Sequence, residues 1–241
     1  MKNIVIIFAR GEGNKINKNL LRIGAFRCLE WQIKAALSSN YTEKIYLSTN
    51  DDEIAQIGEN YDIEIIRRND PEIYSDFGES IIHAITNIDE ENQGVPLTIT
   101  ILLGNTVMVE GKTIDECFEM LYHNDEADSV ISCVKAEFDH PLRALKKGPD
   151  KYLESYFPEL DNIPIDKHSY SEVYYYDQGV FCLKKDNLLW NMNLKGNNKM
   201  GPWWWLGRKS LPYVRDWITG RDTNSYYDIE LSKWYVKNFK K

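Results

Sequence analysis

Short, wholly apolar runs alternate along this chain with stretches in which apolar residues recur three or four positions apart. That alternation predicts strands and helices in layers. Asn3-Ile4-Val5-Ile6-Ile7-Phe8, Lys44 to Ser48, Ile63 to Ile66, Leu97 to Leu103 and Ser129 to Val134 read as strands, with Leu97 to Leu103 buried on both faces. Leu29, Ile33, Ala36 and Leu37 share a helical face. Further helices are predicted from about Asp52, over Ser80 to Ile88, and, amphipathically, over Thr113 to His123. The start is a parallel βαβαβ unit, and the class is a doubly wound α/β fold with a predominantly parallel sheet. From about Phe138 to Tyr176 the period is lost in a charged, Pro-containing, Tyr-rich stretch. Such a stretch is a loop-rich excursion or a segment ordered by a partner subunit. Val180 to Leu183 restores a strand, and Leu231, Trp234 and Tyr235 place a closing helix over Asp228 to Lys237. With no internal repeat or low-complexity tract, a single domain over 1–241 is expected, with residues 138–176 as an excursion within it.

Composition narrows the partners. A formal net charge of -8 argues against nucleic acid, whose backbone requires a basic surface. Any anionic ligand must therefore be met locally. Cys28, Cys117, Cys133 and Cys182 lack metal-ligand spacing and are expected as reduced core thiols. Met1-Lys2-Asn3 leads into a strand without the pattern of a signal peptide, and no run approaches membrane-spanning length, so the expected compartment is the cytoplasm.

The local anion site is predicted where the first strand ends. It delivers Ala9-Arg10-Gly11-Glu12-Gly13-Asn14-Lys15, then Lys18-Asn19, and a second strand ends in Ser48-Thr49-Asn50-Asp51-Asp52. A buried strand that hands small and basic residues to its carboxyl edge is how α/β proteins cradle phosphates. Gly11 and Gly13 allow backbone amides to approach phosphate closely, or simply form a tight turn.

Those residues, taken in order with Ser48 to Ala55 and Ala127-Asp128-Ser129-Val130-Ile131-Ser132, resemble the acylneuraminate cytidylyltransferase family, the CMP-sialic acid and CMP-Kdo synthetase group. The resemblance implies a Rossmann-like nucleotide-diphospho-sugar transferase fold whose mid-chain excursion forms a homodimer. It also implies Mg²⁺-dependent transfer of a cytidylyl group from CTP to an acidic sugar, with release of pyrophosphate. Transfer of this kind rests on positioning and charge neutralisation. Arg10, Lys15 and Lys18 suit the triphosphate, with Ala9 and Asn19 beside them, and Glu12 is expected to point outward or help hold a metal. The family's metal pair aligns with Asp222-Thr223-Asn224, so Asp222 is the expected Mg²⁺ ligand, with Asn224 or Asp228 sharing the role. A solvated acidic turn is the competing account. Asn105 and Thr106 are placed at the pyrimidine, while Asn50, Ser80 and Asp76 are polar contacts or capping residues.

On the acceptor side the chain departs from the family. Leu102-Leu103-Gly104-Asn105-Thr106-Val107-Met108-Val109 replaces a stretch with two prolines and an Arg, and the family's Arg-Gln-Asp is missing. Arg143 and Lys167 are the expected partners of an acceptor carboxylate. His140 is a base, an orienting group or a loop hydrogen-bonder. Asp177 and Gln178 are expected at the acceptor edge, with Gly179 small so that the acceptor lies against backbone. One of Tyr174, Tyr175 and Tyr176 is expected to stack on the sugar, Tyr176 foremost, or to pack at an interface. Trp203-Trp204-Trp205 reads as a loop anchored in the core or at a subunit interface, or with one ring near the acceptor. These departures keep open a different acidic acceptor, such as a phosphonate or modified sugar, and a non-catalytic CTP-binding or scaffold subunit.

Overall fold

Alternation along the first strand divides the molecule into its two layers. In β1 (Lys2–Phe8) the buried Val5 and Ile7 face one apolar cluster, while Ile4, Ile6 and Phe8 face another, because successive side chains of a strand point to opposite sides. The computed structural model describes residues 2–11, 17–68, 77–89, 97–137, 139–160, 162–191, 193 and 201–240. After β1 come β2 (Arg22–Ile23), β3 (Phe26–Arg27), α1 (Cys28–Ser38), β4 (Thr42–Thr49), α2 (Asp52–Glu59), β5 (Glu64–Arg67), α3 (Phe77–Asp89), β6 (Leu97–Leu103) and α4 (Gly111–Tyr122). The rest comprises β7 (Ser129–Lys135), β8 (Leu145–Lys147), β9 (Leu153–Ser155), β10 (Tyr174–Lys184), α5 (Lys185–Asn191), β11 (Ser210–Val214) and α6 (Tyr226–Phe239).

Seven strands form one sheet in the order β11-β7-β10-β6-β1-β4-β5. Its pairings are parallel except where β10 runs against both β6 and β7. On one face, α1, α2 and α4 bury Leu29, Ile33, Ile54, Ile57, Ile114 and Leu121 against the sheet. On the other, α3 contributes Ile81, Ile85 and Ile88, and α5 contributes Leu188. At about 25 cal/mol per Å² these apolar faces supply the main drive to fold. From β1 the chain winds through β4 and β5, then crosses back to pair with the other side of β1 as β6. The carboxyl ends of β1 and β6 therefore flank the point where the winding reverses, which is where open α/β sheets bind ligands.

Two parts depart from expectation, and the Trp-rich loop is anchored in the core, as one of its readings has it. Tyr174 to Tyr176, read as the end of the excursion, are the first residues of β10 and pair with Lys135 to Cys133. The alternation is interrupted by a register shift between Tyr176 and Phe181. β11, which the sequence reading lacked, contains Pro212 and lies at the sheet edge, the place that tolerates a strand residue without an N–H donor. The Trp203-Trp204-Trp205 run is a kinked 3₁₀ segment over Gly201–Leu206, and Trp204 and Trp205 are buried against α3. A methyl group at Gly78 would lie 2.4 Å from the Trp204 ring, so that helix needs glycine there to rest on the indole. The remainder of the excursion holds the β8–β9 hairpin and two 3₁₀ turns, Pro141–Arg143 and Lys167–Ser169.

All four cysteines are buried free thiols. Burial pushes Cys28 and Cys133 up to about 11 and Cys182 to about 12, which keeps them as thiols at neutral pH. Among the described residues, no helix is long and apolar enough to cross a membrane.

Candidate active site at the carboxyl edge of the sheet

The end of β1 is tied to its neighbours by hydrogen bonds. Ala9 N–H donates to Ser48 O at 3.1 Å. Gly11 N–H donates to Asn50 Oδ1 at 3.0 Å, so Asn50 tethers the loop. A side chain at Gly11 would come within 2.5 Å of Asp51 Oδ2, while Asp51 caps α2 through Ile54 N–H at 3.0 Å. After the loop, the 3₁₀ turn Lys18–Leu20 is capped by Asn17. The buried Asn19 donates through Nδ2 to Arg10 O at 3.0 Å and to Asn17 Oδ1 at 3.1 Å. Asn19 therefore supports Arg10 from beneath. Gly104, at the end of β6, leaves room for this arrangement, since its Cβ would meet Asn19 Oδ1 at 2.6 Å.

A cleft of about 360 Å³ lies over these strand ends, lined by Ala9, Arg10, Lys18, Asn19, Ser80, Asn105 and Gln178 among the anticipated residues. Phe8, Arg68, Phe77 and Leu103 complete the wall. Arg68 was missed in the sequence. Its Nη2 donates to Ala9 O at 3.2 Å and its guanidinium lies 5.8 Å from the Phe8 ring centroid. It directly follows β5 on the same carboxyl edge, the positional signal that could have found it. Phe77 meets Phe8 edge to face at 5.1 Å, which makes this wall apolar below and cationic above.

A strap from the far end of the chain closes the other side. Asp222 bridges to Thr106 in antiparallel fashion, and Thr223 donates to Asn105 O through its N–H at 3.1 Å and its Oγ1 at 2.9 Å. Asp222 Oδ2 accepts from Asn105 Nδ2 at 3.2 Å and Asn224 Nδ2 at 2.6 Å. Asn224 Oδ1 in turn accepts from Lys18 Nζ at 2.8 Å. Burial raises the Asp222 carboxyl above the usual range, against the lowering effect of the Asn105 and Asn224 amides, and the nearby Asp228 adds to the rise. A cation beside Asp222 would reverse that shift. Thr106 is turned inward, its Oγ1 donating to Leu103 O at 2.8 Å, and its carbonyl accepts from the fully buried Gln32 of α1. It shapes the loop and does not line the cleft.

Other anticipated residues are committed elsewhere. Asp228 is the capping partner of Ser225 at the start of α6 and receives Arg221 Nε at 3.0 Å and Nη2 at 2.7 Å. Burial alone would raise its carboxyl, but Ser225 and Arg221 outweigh that and hold it below the usual range. Its role is to start the helix, which leaves Asp222 and Asn224 as the site's acidic and carbonyl groups. His140 is buried. Leu142 N–H donates to its Nδ1 at 3.2 Å, so Nε2 carries the proton and donates to Ser171 O at 3.1 Å. This ring orders a loop and packs against Tyr170 at 4.7 Å with the two planes tilted by 38°.

Asp177 is buried in an ion pair with Arg215 at 3.0 Å, with side-chain exposures of 0% and 6%. Gly179 is small for the same reason: a Cβ there would lie 2.2 Å from Arg215 Nη1. The space serves the guanidinium, not an acceptor. Tyr176 packs on Trp203 at 4.4 Å in a separate aromatic hollow, and Arg143 ends the 3₁₀ turn after His140, away from the cleft lining. Glu12, Gly13, Lys15 and Asp76 lie outside the described residues, as does the side chain of Lys167.

Residues 4–190 match the family described as cytidylyltransferase. A protein of Helicobacter pylori named pseudaminic acid cytidylyltransferase and UDP-2,4-diacetamido-2,4,6-trideoxy-beta-L-altropyranose hydrolase is 27% identical over 135 residues, which is 55% of this chain and 26% of that protein. The N-acylneuraminate cytidylyltransferase of Escherichia coli O18:K1:H7 is 24% identical over 96% of this chain and 51% of its own length. The chain thus spans about a quarter and about half of these two relatives. The post-translational flagellin modification protein B of Campylobacter coli is 22% identical over 96% of this chain and 93% of its own. Among solved structures, a CMP:2-keto-3-deoxy-manno-octonic acid synthetase complexed with CTP superposes with a TM-score of 0.70 at 12% identity, covering 98% of this chain and 99% of that one. The 4-diphosphocytidyl-2C-methyl-D-erythritol synthase of Anaerococcus prevotii gives 0.66 at 15% identity, over 98% and 96%. At these identities the structural likeness speaks to the fold.

Proposed function

The chain belongs to the cytidylyltransferase family, and on that premise we propose that it transfers the cytidylyl group of CTP to the hydroxyl of an acidic sugar, a nonulosonic or Kdo-like acid. The observation that carries this reading is the convergence of Arg10, Lys18, Asn105 and Asp222 at the switch point between β1 and β6. The acceptor oxygen forms a bond to the α-phosphorus as the bond to the pyrophosphate oxygen breaks, giving a CMP-sugar and pyrophosphate. Arg10 and Lys18 neutralise phosphate charge, with Lys15 as the expected third cation. Ser80 and Asn105 offer hydrogen bonds to the nucleoside. Relatives named for N-acylneuraminate and for pseudaminic acid support the acidic-sugar class.

Mg²⁺ fits the donor set. Asp222 offers one carboxylate and Asn224 one neutral carbonyl oxygen, and Mg²⁺ characteristically takes one or two carboxylates together with phosphate oxygens and water. Bound there, it would offset charge on the phosphates during transfer. No cluster of three or more His, Cys, Asp or Glu side chains is present among the described residues, so most of the coordination would come from CTP and water.

Pyrophosphate release from CTP with Mg²⁺, measured across nonulosonic acids, Kdo and acidic phosphonates with Asp222→Ala as control, tests the reading. Release stimulated by one acceptor and lost in the variant is expected. Silence with every acceptor while CTP still binds would refute it. The withdrawal of His140 and Asp177 into buried contacts favours a second reading, in which the same transfer serves a differently substituted acidic acceptor. A phosphonate outperforming every sugar acid would select it.

We assign a second copy of the chain as partner, through the excursion. Leu145, Tyr152, Leu153, Tyr156 and Ile165 stand exposed on it, apolar side chains that a second copy would cover. Analytical ultracentrifugation should give twice the chain mass, and a monomer at micromolar concentration would contradict the assignment. The chemistry described needs no membrane, and cytoplasmic residence follows from the use of CTP.

A further inference from the structure

The Asp177-Gln178-Gly179 triplet sits at the register shift of β10, and each of its residues has a distinct physical task. Asp177 turns inward. Its Oδ1 accepts from Gly179 N–H at 2.8 Å and from Ser132 Oγ, and its Oδ2 accepts from Arg215 Nη1 at 3.0 Å. Ser132 Oγ also accepts from Val180 N–H at 2.7 Å, so side chains receive the Gly179 and Val180 amides within the bulge. Between them Gln178 adopts φ +58, a left-handed conformation that a residue with a Cβ occupies only when its surroundings enforce it. The result is a reversal of facing: Asp177 is buried, and Gln178 lines the cleft. Arg215 extends this constraint, because its Nη2 donates at 2.7 Å to Met108 O in the loop that follows Asn105. One buried guanidinium thus ties the β10 bulge to the nucleotide side of the cleft.

The geometry points to Gln178 as the residue that contacts the acceptor, with Asp177 and Arg215 as positioning residues that force it into the cleft from below. The acceptor assignment rests on the cytidylyl-transfer reading; the positioning assignment does not. The sheet order supports it, since β10 lies beyond β6 from the Arg10 and Lys18 loop and therefore reaches the cleft from the side away from the phosphate cradle. A primary amide there can donate to an acceptor carboxylate or hydroxyl and accept from a hydroxyl or N–H.

The test is a set of steady-state measurements with the acceptor and CTP varied separately. Gln178→Ala and Asp177→Asn should each raise the acceptor KM about tenfold, the scale of one well-placed hydrogen bond, with the CTP KM within twofold. The double variant should be no worse than the stronger single, because both act through one side chain. As Asp177→Asn leaves Arg215 buried without its counter-charge, the neutral pair Asp177→Asn with Arg215→Gln is made alongside and should show the same KM split. A second arm needs no turnover: Gln178→Gly should melt about 2 °C above Gln178→Ala, since only glycine is at ease at this φ. Multiplicative losses in the double variant, or a CTP KM that moves with the acceptor KM, would overturn the positioning role. A Gln178→Gly midpoint at or below that of Gln178→Ala would overturn the strained bulge. Absence of turnover in the unaltered protein with every acceptor removes the transfer reading and the acceptor assignment with it, while the melting comparison still judges the bulge.

Discussion

Lys18 Nζ donates to Asn224 Oδ1 at 2.8 Å, joining residues 206 positions apart at the edge of the cleft. A neutral carbonyl is a weak holder of an ammonium, and a triphosphate competes with it readily. In the proposed transfer Lys18 would turn to phosphate and release Asn224 Oδ1 beside Asp222, so that nucleotide capture would expose an oxygen suited to Mg²⁺. Asn224→Asp should raise the apparent Mg²⁺ affinity about tenfold and weaken CTP binding without metal, because Lys18 must then leave an ion pair to reach phosphate and two carboxylates stand together once it has gone. Calorimetric CTP titrations with and without Mg²⁺ read both effects; unchanged metal dependence would rule out a metal role for this position.

Arg68 presents its cation above Phe8 while its Nη2 holds the Ala9 carbonyl. Arg68→Ala should weaken CTP binding about tenfold with little loss of thermal stability, since half-exposed ion contacts contribute modestly to folding but directly to phosphate affinity. Equal CTP affinity in the variant would show that the cation serves only the strand end.

Gly179→Ala drives a methyl into Arg215 Nη1. Backbone or ion-pair movement must follow, at a cost of about 2 kcal/mol, so the melting midpoint should fall by about 5 °C. If the reason for glycine were room for an acceptor, the variant would keep its midpoint and lose only acceptor affinity.

Lys240 places Nζ at 2.8 Å from both Val107 O and Val109 O and 5.2 Å from the Trp31 ring. Burial lowers its pKa to about 8 from 10.5, with Arg215 adding to the drop and Glu110 opposing it. The unfolded chain therefore binds more protons between about pH 8 and 10.5, and stability contributed here rises with pH across that window. Relative to Lys240→Met, the unaltered protein should gain about 1 kcal/mol, or about 3 °C of melting midpoint, between pH 7.5 and pH 9. Parallel midpoints for the two proteins across that range would contradict the shift.

What was legible in the sequence follows the reach of the forces involved. The strands β1, β6 and β7 announce themselves because continuous apolar runs are local, and Arg10 and Lys18 on the cleft wall because they lie close in sequence to the end of the first of those strands. By sequence Asp177 reads as a polar group at the acceptor edge, because nothing near it reveals Arg215, 38 positions on, whose charge draws it into the interior. Asp228 looked like a metal ligand for the same kind of reason. Its spacing from Ser225 marks a capping box equally well, and Arg221 decides between the two. Arg68 escaped notice because its worth comes from strand order, which puts the end of β5 on the same edge as the end of β1.

The clasp of Asn105 by Thr223 spans 118 positions, and this separation gives the site a history as well as a shape. A ribosome adding about 5–20 residues per second needs on the order of ten seconds to travel from one to the other. Until that interval closes, Lys18 lacks Asn224, Asn105 lacks Thr223, and Thr106 lacks its bridge to Asp222. A nascent chain halted before residue 222 would hold the end of β1 yet lack the strap that fixes Asn105 and engages Lys18. CTP should then shield the protein from proteolysis only after translation has carried the strap into place.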